Sequence, residues 1–440
     1  MITAVVGRTF LNAYNEKYQK NLDPKQFFVE QYFELFYNHP KYLQWVTNSP
    51  FVQMKSNQKP HLLSVNERLE KLESLQDKIL HEIPDASFAL GFPASEAKEF
   101  ASTSGLVSDI AIPTDEDEVY LSWIGSGLGI GVAGGYTLLF DDAEIALQTY
   151  EGWKVYRKYL NDPTLERLRG NQIGTWNGQW LSYSLGENYD SDFDFSSLTD
   201  EKIFSSDSEK TEVNTVNWSR LFFSLSQLYP DKFLTAYVYG FGQTNKTIGF
   251  IPFQLKSGTK LKHIYKILFA EDLTISTRDF ESLFGMHIKR ACELGSISLR
   301  TLRPEALTKY MNESKNLSFK NEEDKINYYV FKTWLIAMLS KNKDEVTEYT
   351  LELAETILRY RNGDSNQKTV RKNLVEKELF ESKSKKGFIE SLTVMIKDLE
   401  PDDLLTIKNF KDEIHLMTNE EFGYFSTLLK FDYAFLEKQS

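Results

Sequence analysis

Cysteine is almost missing from this chain: Cys292 is the only one in 440 residues. A single thiol can form neither an internal disulfide nor a cysteine-based zinc site, which predicts a reducing, cytoplasmic setting. Long hydrophobic runs are missing too. No window reaches the 18 apolar residues of a membrane span, and no membrane partner is expected. The N-terminal stretch MITAVVGRTFLNAYNEKY has a short apolar run and no cleavage pattern, so it is not read as a signal peptide. Catalytic signatures are equally scarce. There is no G-K-[ST] after a glycine loop, no G-x-S-x-G elbow and no H-E-x-x-H. The histidines, His39, His61, His81, His263, His287 and His415, are scattered, with no pair at metal-ligand spacing on one helix. The reading is therefore nonenzymatic, without cofactor or metal. Cys292 in IKRACELG reads as a buried, inert thiol on a helix.

Aromatic residues, in contrast, are abundant: 31 Phe, 23 Tyr and 7 Trp. They offer flat faces for packing or for stacking on bases. The net charge is −12, which argues against an autonomous, tight DNA binder. The charge is unevenly spread. Glu187 to Glu212 holds nine acidic residues against Lys202 and Lys210, leaving only −5 for the rest of the chain. Lys246 to Arg303 holds ten basic and five acidic residues, and Arg359 to Lys386 nine and four.

The apolar pattern predicts an α+β protein: a mixed body with antiparallel strands over 1–317, then a helical bundle over 318–440. Residues 24–46 carry Phe27, Phe28, Tyr32, Leu35 and Phe36 on one helical face, capped by Asp23 and closed by Pro40. Residues 65–81 read as an amphipathic helix with Leu69, Leu72, Leu75 and Ile79 inward. EVYLSWIG from 118 reads as a strand, as does GYTLLFDD. Residues 143–160 read as a helix, and the acidic stretch to 212 as a loop or disordered insertion. FLTAYVYGFG and TIGFIPFQL make a natural hairpin. Further on, Asn321 caps a helix with Ile326, Tyr329, Val330 and Trp334 inward. A second helix spans 344–361, and Thr418 with Glu421 forms a capping box.

Four features bear on function. The glycine run IGSGLGIGVAGG includes Gly127, Gly129 and Gly131 and precedes a strand, not a helix, so it is no dinucleotide fingerprint. It fits tight backbone packing or backbone N–H contact with nucleic acid phosphate. Pro84-Asp85 followed by Glu96-x-Lys98 matches a Mg²⁺-dependent nuclease pattern, but ASEAKEFA reads as helical where that chemistry needs a strand end. The hairpin tip GFGQTNKTIGF presents Gln243, Asn245 and Lys246, whose amides can read base edges and whose ammonium can hold a phosphate; a plain turn is the alternative. Finally, Lys154, Arg157 and Lys158 share about one helical turn, and Arg359, Arg361, Lys368, Arg371 and Lys372 lie in a basic tract. Both suit a phosphate-tracking surface or an ordinary solvated face.

Several stretches together resemble a known family: WVTNSPFV, FASTSG, GGYTLLFDDAEIALQTYEGWKVYRKYL, AYVYGFGQTNKTIGFIPFQL and the helical C-terminal part. They are similar to the large subunit of type I CRISPR interference complexes (Cascade), in a small, divergent form. That resemblance implies a nonenzymatic subunit whose partners are crRNA, double-stranded target DNA, the other Cascade subunits and a recruited helicase-nuclease. It implies recognition of the protospacer-adjacent motif and help in opening the duplex, with guide pairing reading the sequence. Some branches carry paired C-x-x-C zinc motifs, which a chain with Cys292 alone lacks. The motif-reading residues differ between branches. Gln243, Asn245 and Lys246 are singled out on their chemistry, with Gly127 to Gly131 as backbone contacts. The competing classes are a Mg²⁺-dependent nuclease through Asp85, Glu96 and Lys98, and a cytosolic protein-binding scaffold.

Overall fold

A computed structural model describes residues 1–46, 49–56, 58–81, 84–86, 91–93, 114–240, 246–269, 280–281, 283–286, 288–312, 317–340, 350–363 and 366–439. The fold is α+β. Its strands are β1 (Pro84–Ala86), β2 (Gly91–Pro93), β3 (Ile130–Val132), β4 (Tyr136–Phe140), β5 (Phe204–Ser206), β6 (Thr211–Val213), β7 (Leu234–Gly240) and β8 (Lys246–Phe253). The chain divides into two units, Met1–Leu255 and Lys256–Ser440.

In the first unit, β3, β4, β7 and β8 form an antiparallel sheet in that order. The expected β7–β8 hairpin is present, with a bulge at Val238/Tyr239 and Gly249 at φ 110°. Around the sheet lie helices rich in aromatics. Phe10, Tyr14, Phe27, Tyr150 and Trp153 meet with ring centroids 4.9–6.2 Å apart, within the range where tilted and edge-on pairs are favourable. The high aromatic content is thus used largely inside.

EVYLSWIG is helical, not a strand. It belongs to the Glu116–Gly127 helix, which Asp115 caps by accepting the Glu118 N–H at 2.8 Å. Residues Val119 to Gly125 are all buried, so the segment shows a continuous apolar run with no 3.6-residue period. It crosses the Ile2–Tyr18 helix at very close range. A Cβ on Gly7 would collide with the Leu121 carbonyl, and one on Gly125 with the Thr3 carbonyl. The hydroxyls of Thr3 and Ser122 hydrogen-bond across this crossing at 2.8 Å.

The Asp23 cap is present as a full capping box with Gln26. The helix it starts passes through a π-helical turn, Phe28–Phe33, and stops at Phe36, ahead of Pro40. The Val65–His81 helix forms where expected, but its buried residues are Arg68, Leu72, Leu75 and Ile79, while Leu69 faces outward. The acidic segment is not a bare loop. Asp194 caps the Phe195–Asp200 helix, and β5 pairs with β6. Phe195 stacks on Phe204 with centroids 4.6 Å apart and meets Tyr159 edge-on, which anchors the segment to the Ala143–Asn161 helix.

From 317 on, every described regular element of the second unit is a helix. Asn321 caps Glu322–Leu339 by accepting the Asp324 N–H at 2.9 Å, and the Thr418–Glu421 box opens Asn419–Gln439. Leu351–Gly363 accounts for the later part of the helix expected over 344–361; residues 341–349 lie outside the described residues. A buried ion pair, Lys332 to Asp432 at 3.1 Å, joins Glu322–Leu339 to Asn419–Gln439, with Tyr328 and Thr350 also donating to Asp432.

Candidate nucleic-acid interface

Gln243 and Asn245 lie outside the described residues, as do Glu96 and Lys98 of the nuclease pattern. Lys246 opens β8 opposite Gly240, and Asp85 sits in β1. Gly127 ends its helix, where a Cβ would meet the Tyr32 ring. Gly129 lies under Thr137, and Gly131 in β3 runs against the backbone of Gly174. The Asn177 amide donates to the carbonyls of Gly127 and Gly129 at 2.8 and 2.9 Å. These glycines serve close packing of protein on protein, the first of the two readings of the run. Cys292 is exposed rather than buried, on the Ile288–Leu294 helix.

The basic residues separate into two kinds. In the tract from 359, most cations are matched to carboxylates. Arg359 meets Asp403 at 2.5 Å, Arg361 meets Glu437 at 2.9 Å and Glu376 at 3.4 Å, Arg371 meets Asp398 at 3.4 Å, and Lys372 faces Glu376 at 3.9 Å. Arg371 is buried, donating to the Tyr360 carbonyl, whereas Lys368 is exposed. On the Ala143–Asn161 helix, Lys154 pairs with Glu151 and lies over Tyr150, and Lys158 is exposed. Arg157 points the other way. It is 7% exposed and donates to the carbonyls of Leu35 and Lys41. The three residues on one turn do not share a surface.

A different set of cations is brought together by the fold. Residues 40–45, the turn 163–171 and the β5–β6 hairpin are stitched side by side by backbone hydrogen bonds. Asn171 N–H donates to Tyr42 O, Arg169 N–H to Thr211 O at 3.0 Å, and Thr211 N–H to Arg167 O at 2.9 Å. Between them opens a cleft of about 650 Å³, lined by Lys41, Tyr42, Trp45, His61, Arg167, Arg169 and Lys210, with Glu166 and Glu209. Trp45 is 46% exposed.

The charge here is only partly compensated. Lys41 donates to the carbonyls of Glu166 and Leu168 at 2.6 and 2.8 Å, and Arg167 to those of Asp207 and Ser208 at 3.3 Å. Carbonyls satisfy the donors without neutralising the charge. Arg169 and Lys210 share one carboxylate, Glu212. Behind the cleft, Arg157 and Arg68 add two more cations, both buried. Six cations thus stand against Glu166, Asp207, Glu209 and Glu212.

His39 reports that local field. Burial, helped by the charges of Arg157, Arg68 and Lys41, pulls its imidazole pKa down to about 4, and its Nδ1 lies 2.9 Å from the Lys41 amide nitrogen. Sequence reasoning missed this site because its members come from segments more than a hundred residues apart. Two of them, Lys210 and Glu209, lie in the stretch that stood out as acidic. The one local signal was an arginine, Arg68, in phase with Leu72, Leu75 and Ile79.

Among the described residues, no cluster of three or more His, Cys, Asp or Glu side chains is arranged to hold a metal ion, and no helix is long and apolar enough to cross a membrane. Comparison of the chain with protein-family models, with curated proteins and with solved structures gives no match.

Proposed function

We propose that the protein is a nonenzymatic nucleic-acid-binding subunit of a crRNA-guided DNA surveillance complex, with the cleft between residues 40–45, 163–171 and the β5–β6 hairpin as a strand-binding surface. The observation that carries the binding activity is the set of partly compensated cations beside an exposed tryptophan. Cations attract phosphates, and an exposed indole stacks on a base of any sequence. The assignment to a type I CRISPR complex, with recognition of the protospacer-adjacent motif and recruitment of a helicase-nuclease, rests on the sequence resemblance. An acidic chain with one local basic cleft suits a subunit whose neighbours supply other phosphate contacts.

The test is to express the chain with the genes adjacent to its own, recover it by affinity, and sequence the bound RNA. A short crRNA with a backbone-forming protein partner is the expected recovery. R167E/K210E and Trp45→Ala should lower nucleic acid recovery or target binding at fixed salt while the fold is kept. Recovery of the chain alone would overturn the complex assignment. Equal binding by R167E/K210E would overturn the cleft.

A further inference from the structure

Arg68 is an arginine in a leucine position. It occupies the inward stripe of the Val65–His81 helix, 7% exposed, and among the described residues its side chain has neither a hydrogen bond nor an ion pair; its Nε is fully buried and unpartnered. Guanidinium does not deprotonate in proteins, so the charge stays. A buried charge without a partner is among the most unfavourable arrangements a fold can contain. Its neighbours make the anomaly larger. The charge of Arg68 acts on Tyr42, on His39 and on Arg157, itself a buried cation without a carboxylate partner among the described residues. Tyr42 and Tyr37 meet edge-on with centroids 5.3 Å apart, and both buried hydroxyls also lack a partner.

Two tyrosine hydroxyls and the Arg68 Nε–H are three buried donors without an acceptor. Tyr42 lines the cleft beside Lys41; Tyr37 packs edge-on against Tyr42 from the buried side, and the charge of Arg68 acts on Tyr42. Donors of this kind, beside partly compensated positive charge, match one ligand chemistry, a tetrahedral oxyanion with several acceptor oxygens. We infer that Arg68, Tyr42 and Tyr37 form the floor of an oxyanion pocket that takes a phosphate group, with Lys41 at its rim. The inference rests on the strand-binding reading of the cleft only for the source of that phosphate, a terminal phosphomonoester or an internal phosphodiester.

The experiment is thermal unfolding of the full chain in inorganic phosphate against chloride at matched ionic strength. Phosphate tenfold above its dissociation constant should raise the melting temperature by about 3 °C. Arg68→Met should abolish that rise and melt no lower than the parent chain in chloride, because it removes an unpaired buried charge. Tyr42→Phe keeps the ring packing and should at least halve the rise, so it decides the matter if Arg68→Met does not fold. No phosphate effect on the parent chain, or an equal rise in the parent and Tyr42→Phe, overturns the pocket. A lower melting point for Arg68→Met in chloride, with the phosphate rise intact, also overturns it by showing a purely structural arginine. Oligonucleotides with 5′-phosphate and 5′-hydroxyl then separate the sources: only the former should lose affinity in Tyr42→Phe if the ligand is a terminal phosphate, and both if it is internal. Failure of R167E/K210E to change nucleic acid binding would remove the cleft reading and leave the phosphate result standing.

Discussion

At the scale of single residues, charge and burial are set against each other more sharply around His39 than elsewhere in the first unit. His39 titrates at about 4 in the fold, and the usual value is 6.5. The folded ring therefore holds its proton less well than the unfolded one. Between these two values the unfolded chain binds more protons, so stability rises with pH and is lost as pH falls from 6.5 towards 4. A His39→Gln chain has no such group. Its urea midpoint should fall less between pH 6.5 and 4.5 than that of the parent, and an identical fall in both would show that the loss comes from other groups. The same field explains why Arg157 is a poor candidate for touching a phosphate directly. Its donors already serve Leu35 O and Lys41 O, and its contribution to a ligand is its charge.

At the scale of elements, helix crossings are held by features that the sequence expresses unequally. The crossing of Ile2–Tyr18 with Glu116–Gly127 depends on Gly7 and Gly125, which let the backbones approach. Gly125→Ala places a methyl group on a carbonyl that cannot move without moving the helix. It should destabilise the chain by about 2–3 kcal/mol, read as a lower melting temperature. Gly423→Ala, on a helix with open space at that position, is the control and should change little. In the second unit, Lys332→Met would leave Asp432 buried with only hydroxyl donors and should lose about 3–5 kcal/mol. Lys332→Met with Asp432→Leu should recover most of that loss, because the pair is replaced by apolar volume. Non-recovery would mean that Asp432 is retained chiefly for its bonds to Tyr328 and Thr350.

These elements also show what could be read in advance. Asp23, Asn321 and the Thr418–Glu421 pair were legible because a cap is a local bond between residues three apart. The β7–β8 hairpin was legible because two aromatic, β-branched runs flank a short loop. Glu116–Gly127 was misread because burial on every side erases the period that marks a helix. The acidic stretch was misread as loop because Phe195 and Phe204, which anchor it, are lost among its charges. The cleft was illegible for a further reason: Lys41, Arg167 and Lys210 are ordinary surface residues in their own segments, and only backbone pairing between segments makes them neighbours.

For the whole molecule, a net charge of −12 means that long-range electrostatics oppose any polyanion, and binding must come from local charge that carboxylates do not cancel. This separates the two basic regions by a measurable quantity. Each phosphate neutralised by the protein releases counterions, so the logarithm of the binding constant falls with the logarithm of salt concentration in proportion to the number of contacts. With Lys41, Arg167 and Lys210 as the contacting cations, the last sharing the Glu212 carboxylate with Arg169, single-stranded RNA should bind with a slope of about −2. R167Q/K210Q should flatten that slope by about 1.4. R361Q/R371Q removes cations already matched to Glu437, Glu376 and Asp398, so it should leave the slope unchanged while lowering stability. Equal flattening by both double variants would place phosphate on the helical unit as well. Flattening by R361Q/R371Q alone would move the interface there, because matched ion pairs would then have to open on binding.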